Sequence, residues 1–405
     1  MDRDSTSTSD RILESKPLDG VQGPTSERRE TVRCGLGPGK RYDGLSVPAR
    51  MGVSLASESR LASIQGRHPV LATLCSHSSL QIFHGARMEG FTTLGLCVGS
   101  PPRFYDAFPL ARPDRFLSAR SVKELPDLAE RLRAEGAIVV PHGSFVEYVG
   151  AESFARMDVP VFGNREVLGW ESDRRKEREW LEQAGVSMPK RYEDASEVDG
   201  PVIVKYYGAK GGKGFFLAKN REALDEFRPT GPYVIQEYVL GTRYYMHFFY
   251  SPLSDRGYRV GHGSLELLGM DRRDEANIDE LYKLGAQEEL VRAGIRPTFV
   301  VTGNVPVVLR ESLLPQAFEV ASRIVERSID LFGGMVGPFC VEGIMTEGLD
   351  FKVFEISTRI VAGTNLFISG SPYSDLVAPG LSTGRRIAQE IRRGEREGRL
   401  AEILS

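Results

Sequence analysis

Two glutamates near the C-terminal end, Glu342 and Glu355, flank the turn-forming run Thr346-Glu347-Gly348-Leu349-Asp350. A two-residue loop at Gly348-Leu349 sets them opposite each other on antiparallel strands, with Cβ atoms roughly 5 Å apart. Like charges that close repel unless a proton or a cation lies between them. Hard oxygen donors at that spacing suit Mg2+ (or Mn2+), an ion that also bridges nucleotide phosphates. Read alone, the same residues are equally two solvated strand glutamates.

A second constellation is Lys205-Tyr206-Tyr207-Gly208-Ala209-Lys210-Gly211-Gly212-Lys213-Gly214. Lys205 ends a strand, and a loop holding four glycines and two further lysines leads into the next. Glycines let backbone N–H groups approach phosphate oxygens, and the lysines offset charge. The order GxxxxGK[ST] is missing and a strand follows, so this is not a Walker loop. Four glycines exceed what a plain basic hairpin turn demands. The stretch Gln236-Glu237-Tyr238-Val239, leading to Gly241, reads as a hinge against an adenine edge with Glu237 or a neighbour near ribose, though most such stretches taken alone are plain strands. His77, Ser144 and Thr302-Gly303-Asn304 each stand at the end of a predicted strand, where polar groups converge on a cleft.

The elements that position these residues are legible in outline. Val70 to Leu74 is an apolar strand, followed by helical spacing at Leu80, Ile82, Phe83 and Ala86, then strand-like Thr92 to Val98 and Ala137 to Val140. Strand, polar loop, helix, strand is the pattern of a parallel sheet, whose ligands sit at the carboxyl ends of its strands. Residues 166–185 read as one charged helix anchored by Trp170, Trp180 and Leu181. Beyond it the strands become paired and aromatic: Val202 to Lys205 with Phe215 to Ala218, then Tyr233 to Val239 and Tyr244 to Tyr250. A helix from Pro315 to Phe332, a hairpin from Phe339 to Ser357 and a basic C-terminal helix complete an antiparallel α+β unit. The fold class is therefore α/β and α+β, with a parallel sheet first.

The chain of 405 residues carries a net charge of −3, with 41% hydrophobic and 26% charged residues. That balance gives no basis for nucleic-acid binding. Cys34, Cys75, Cys97 and Cys340 lack CxxC spacing, which fits a reducing cytoplasm. No apolar run reaches the ~20 residues needed to span a bilayer, and no secretory signal is visible. Residues 1–50 are polar and aperiodic, so they read as a disordered tail or as translation begun upstream of a true start at Met51.

The glycine-lysine loop, the Glu237 hinge and the Glu342/Glu355 pair, in this order, resemble the ATP-grasp superfamily. More narrowly, ATLCSHSSLQIFHGARMEGF, VVPHGSF, VFGNREVLGWES, GAKGGKGFF, HFFYSPL, ELLGMDRRDEANID, VVTGNVPVVLRESLLP, GPFCVEGI and FEISTRIVAGTN resemble the archaeal formate-dependent 5-formaminoimidazole-4-carboxamide ribonucleotide synthetases. The resemblance runs from about residue 67 to the C-terminus and leaves residues 1–66 without a counterpart. It implies a pre-ATP-grasp domain over 67–165, a nucleotide lid over 166–250 and a catalytic subdomain over 251–405. It also implies that ATP, formate and 5-aminoimidazole-4-carboxamide ribonucleotide (AICAR) give the formylated nucleotide, ADP and phosphate, a step of folate-independent IMP synthesis. By motif, His77, Ser144 and Asn304 would contact AICAR. Lys205, Lys210, Gly211, Gly212, Lys213, Gly214, Glu237, Tyr238, Val239 and Glu275 would contact ATP, with Lys205 and Lys213 supporting phosphoryl transfer. Glu342 and Glu355 would hold the metal; some members carry glutamine at the first of these positions. Members form homo-oligomers. Rival readings are a paralogue ligating another acid to another amine, and a non-catalytic nucleotide-binding regulator.

Overall fold

The computed structural model describes residues 58–206, 215–225, 231–277, 292–294 and 299–405. The loop residues Gly208, Lys210, Gly211, Gly212, Lys213 and Gly214, and the segment 1–50 with its start-site expectation, lie outside the described residues.

The first sheet is formed by β1 (Val70–Leu74), β2 (Thr92–Val98), β3 (Arg115–Ala119) and β4 (Ala137–Val139), all parallel in the order β3-β2-β1-β4. All five residues of β1 are buried, the continuous apolar run of a strand covered on both faces. Helix α1 (Ser79–Met88) follows β1 and begins where the polar cluster Cys75–Ser79 ends.

The region expected as one helix over 166–185 is two, α2 (Glu166–Ser172) and α3 (Arg174–Gln183). Asp173 interrupts them with extended backbone (φ −99°, ψ 107°), and its side chain accepts from the N–H groups of Arg175 and Lys176. An aspartate with competing local hydrogen bonds favours this capping role over a helix interior. Trp180 on α3 is fully buried and donates Nε1–H to the Ile324 carbonyl at 3.0 Å.

A second sheet, antiparallel, contains β5 (Arg191–Tyr192), β6 (Val202–Tyr206), β7 (Phe215–Ala218) and β8 (Tyr233–Glu237) in the order β5-β8-β6-β7. The third contains β9 (Thr242–Ser251), β10 (Tyr258–Val260), β11 (Gly263–Asn277), β12 (Phe299–Pro306), β13 (Gly337–Met345) and β14 (Phe351–Ser357). Its order is β10-β11-β9-β13-β14, with β12 also paired to β11. Helix α4 (Leu314–Phe332) lays Ala317, Val320, Ala321, Ile324, Val325 and Ser328 into the core, the spacing of a single helical stripe. Met246, Phe248, Tyr250, Phe339, Val341 and Ile356 meet this core from one face of the third sheet.

Helix α5 (Thr383–Glu397) crosses α1 at two glycines. A Cβ on Gly85 would lie 2.2 Å from the Arg385 nitrogen, and one on Gly384 would lie 2.3 Å from the Gln81 carbonyl oxygen. Only hydrogen at both positions lets the two backbones approach this closely. Among the described residues no helix is long and apolar enough to cross a membrane.

Candidate active site

Strand alternation gives the third sheet a second, polar face. Because Met246, Phe248 and Val341 point to the core, Tyr245, His247, Cys340 and Glu342 point the other way. Asp271 and Arg273 on β11 and Glu355 and Ser357 on β14 share that face, as their ladder partners require.

Glu342 pairs directly with Glu355, as the turn arithmetic predicts. The turn itself differs from the expected two-residue loop at Gly348-Leu349. Met345 pairs with Phe351, so the loop is Thr346–Asp350, closed by Thr346 N–H to the Asp350 carbonyl at 3.0 Å. Asp350 N–H also donates to Thr346 Oγ1 at 3.2 Å, and Leu349 takes a left-handed conformation (φ 62°). A register shift between Glu342 and Gly343 then makes Phe354 the extra residue and restores the Glu342–Glu355 pairing.

Glu342 is buried; Arg273 Nη2 and Ser357 Oγ each donate to its Oε1 at 3.1 Å. Burial pushes its carboxyl up to about 7; Arg273 opposes that rise and the facing Glu355 adds to it. Arg273 Cζ lies over the Tyr245 ring, 3.6 Å from its centroid, a cation–π contact that holds the guanidinium beside the sheet. Glu355 is half-exposed and accepts from Arg174 Nη1 at 3.1 Å. Among the described residues no three His, Cys, Asp or Glu side chains gather as a metal cage. Two opposed carboxylates nonetheless match the donor set of an ion that takes its remaining ligands from water and phosphate.

The expected substrate residues fall in two places. Ser144, fully buried, donates Oγ–H to Ser76 Oγ at 2.8 Å, joining the loops at the carboxyl ends of the adjacent strands β1 and β4. His142 reinforces that junction: Nε2 donates to the Leu74 carbonyl at 2.8 Å and Nδ1 accepts from Ser144 N–H at 3.3 Å. His77 is exposed on the same loop, and the buried Ser78 Oγ beside it has no hydrogen-bond partner among the described residues. Asn304 lies on β12, opposite Arg273, with Nδ2 donating to Asp271 at 2.6 Å.

The expected ATP residues bracket the third sheet. Lys205 donates Nζ–H to Gln236 Oε1 at 3.2 Å. Burial holds its ammonium below the usual lysine range and Arg174 adds to the effect, while Glu355 opposes it. Glu237 receives Lys352 Nζ at 2.6 and 2.7 Å and Lys190 N–H at 2.9 Å, so its carboxylate ties the second sheet to β14. Tyr238 donates its N–H to the Pro201 carbonyl at 2.9 Å, and Val239 is buried. Glu275 on β11 stands 3.6 Å from Arg243 Nη1.

Several residues join the site without a local signal. Glu177 accepts from Ile356 N–H at 2.8 Å, and Glu171 accepts from Thr358 N–H and Oγ1–H at 2.9 and 2.8 Å, so α2 and α3 clamp the end of β14. Arg359 pairs with Glu171 at 2.6 Å and lies against Gly143, and its Nε is buried without a partner among the described residues. The charge pattern EVLGWESDRRKERE hints that these side chains are not all solvent-facing; nothing in it indicates which strand they meet.

Two family models match the chain: a protein of unknown function (DUF1246) over residues 71–192 and a domain of unknown function (DUF1297) over residues 225–405. A 5-formaminoimidazole-4-carboxamide-1-(beta)-D-ribofuranosyl 5'-monophosphate synthetase from Methanothrix thermoacetophila is 63% identical over 336 residues, covering 83% of this chain and 94% of that protein. The chain belongs to this synthetase family. The crystal structure of an IMP biosynthesis protein PurP from Thermococcus kodakaraensis matches with a TM-score of 0.64 at 31% identity, over 83% of this chain and 100% of that one. An N5-carboxyaminoimidazole ribonucleotide synthetase from Thermotoga maritima shares the fold alone, with a TM-score of 0.52 at 15% identity over 80% of this chain and 76% of that one. The fold is that of the ATP-grasp enzymes, and the synthetase family makes this chain a ligase.

Proposed function

We propose that this protein formylates AICAR with formate and ATP, forming the 5-formamido nucleotide, ADP and phosphate. The observation that carries this reading is the Glu342–Glu355 pair set among Arg273, Arg174, Lys205 and Arg359. Paired acids inside a ring of cations suit a site that must hold a divalent ion, a triphosphate and a small carboxylate together.

Formate is a poor electrophile because its carboxylate is delocalised and its oxygen leaves badly. A formate oxygen attacks the γ-phosphorus and ADP leaves, giving formyl phosphate. The AICAR amine then attacks the formyl carbon; phosphate leaves and the amine proton passes to it or to water. Glu342 and Glu355 would hold Mg2+ (or Mn2+), which when bound supplies positive charge against the phosphates. Arg273 holds Glu342 in place and Arg174 holds Glu355. Lys205, with Lys213 on the glycine loop, offsets charge on the transferring phosphoryl group. The second sheet, carrying Lys205 and Glu237, serves as the ATP-covering lid. The amine is conjugated with the imidazole and weakly nucleophilic, so positioning outweighs base strength. His77 and the unpartnered Ser78 hydroxyl offer donors for the nucleotide phosphate at the head of α1, and Ser144 orients the Ser76 hydroxyl beside them.

The test is phosphate release from ATP with AICAR, with and without formate. Release that needs both AICAR and formate is expected. Release indifferent to formate sinks the substrate reading and leaves the ligase class standing.

A further inference from the structure

Asp271 has no exposed surface, and its two oxygens serve different neighbours. One lies 2.6 Å from Asn304 Nδ2, the other 2.6 Å from His247 Nε2. A carboxylate accepts hydrogen bonds and donates none, so both neighbours must turn a donor toward it. Asn304 therefore faces Asp271 with its NH2 group. Its Oδ1 points away as an acceptor, and no described residue donates to it.

Asp271 has little room to move. A Cβ on Gly363 would fall 2.2 Å from its Oδ1, so the segment Ala362–Phe367 closes over the carboxylate. His247 is buried as well, and its Nδ1 has no partner among the described residues, which leaves the Asp271 bond as its polar tie. A rigid buried anion with two short contacts fixes the polarity of Asn304.

We propose that Asp271 is a specificity-setting positioning residue: by locking the Asn304 amide, it leaves Oδ1 to accept from the carboxamide NH2 of the nucleotide and turns away a nucleotide carrying a carboxylate there. This rests on the AICAR reading above. The 5-amine must face the acyl carbon, so the carboxamide NH2 is the planar donor left for Oδ1. A carboxylate at the same point meets an amide oxygen backed by a buried anion, and the neighbouring cation, Arg273, is already engaged by Glu342. The nucleotide's phosphate belongs at the other end, near His77 and the head of α1.

The experiment measures affinities of two nucleotides, the 4-carboxamide and the 4-carboxylate of 5-aminoimidazole ribonucleotide, by calorimetry. The native protein is expected to favour the carboxamide by roughly 30-fold or more. In Asp271→Asn, the new side chain both donates and accepts, so Asn304 can turn over. The preference is expected to fall to within about threefold while ATP affinity stays within about twofold. The double variant Asp271→Asn/Asn304→Asp again places an acceptor toward the ligand and is expected to restore the preference. A purely structural role for Asp271 would weaken both nucleotides alike; an unchanged ratio in Asp271→Asn therefore overturns the proposal. Equal binding of the two nucleotides by the native protein overturns it too, whereas native protein that binds neither overturns the AICAR reading itself.

Discussion

Glu342 and Glu355 face each other across β13 and β14, yet each carboxylate is bound by an arginine from a different part of the chain. Arg273 reaches Glu342 from β11, and Arg174 reaches Glu355 from the start of α3, both at 3.1 Å. Each acid is thus matched by its own cation. Glu342 is buried and Glu355 half-exposed, so only the second can be removed without stranding a buried charge.

Glu355→Ala is accordingly expected to fold normally and to lose turnover by a factor of about 1,000 or more. Steady-state kinetics across a Mg2+ titration, beside a thermal melt, checks this. Near-native turnover removes Glu355 from the metal assignment.

Acid sensitivity should arise at His142. Burial drives its pKa down from 6.5 to about 3, with the Leu74 carbonyl opposing and the charges of His77 and Arg359 adding to the fall. Below pH 6.5 the unfolded chain binds a proton that the native imidazole refuses. Its contribution to stability is therefore complete above pH 6.5 and is lost as pH falls toward 3, by about 1.4 kcal/mol per pH unit. Urea unfolding between pH 7 and pH 5 should show about 2 kcal/mol of loss from this group. His142→Asn should flatten the slope by that amount; the same slope in the variant would assign the acid sensitivity elsewhere.

The α1–α5 crossing gives a steric prediction. Gly85→Ala improves helix propensity by about 1 kcal/mol but drives a methyl into the Arg385 backbone, where overpacking costs about 1–3 kcal/mol or more. Net destabilisation in chemical unfolding is expected. A stabilised variant would mean that the two helices separate without penalty.

How much of this was readable beforehand depends on whether the signal was local. The strands Val70–Leu74 and Thr92–Val98 stand where their apolar runs put them, since burial on both faces leaves a continuous pattern. The Glu342–Glu355 pairing follows from the turn signal even though the loop is longer than that signal implies. A longer turn moved the register one way and the bulge at Phe354 moved it back. The charged run around Asp173 has helical character on both sides, so spacing alone places it in a helix interior; its capping bonds are what split the two helices. Arg174, Arg359 and the His247–Asp271 pair could not be reached from spacing. Their partners lie on strands remote in the chain, and only the assembled sheet brings them together.

One element links these groups. Strand β11 runs unbroken from Gly263 to Asn277, pairs with β10, β9 and β12, and carries Asp271, Arg273 and Glu275 within five residues. At about 3.3 Å per residue, the span from Asp271 to Glu275 is about 13 Å. That makes the strand a ruler: the gap between the group that fixes Asn304, the arginine on Glu342 and the acid expected at the nucleotide is set by backbone pitch rather than by side-chain reach. At Asp274/Glu275 the extra residue, Thr302, belongs to β12, so β11 keeps its own pitch. A substrate whose reacting amine sat one bond farther from its recognised end would be out of step with every mark on that scale.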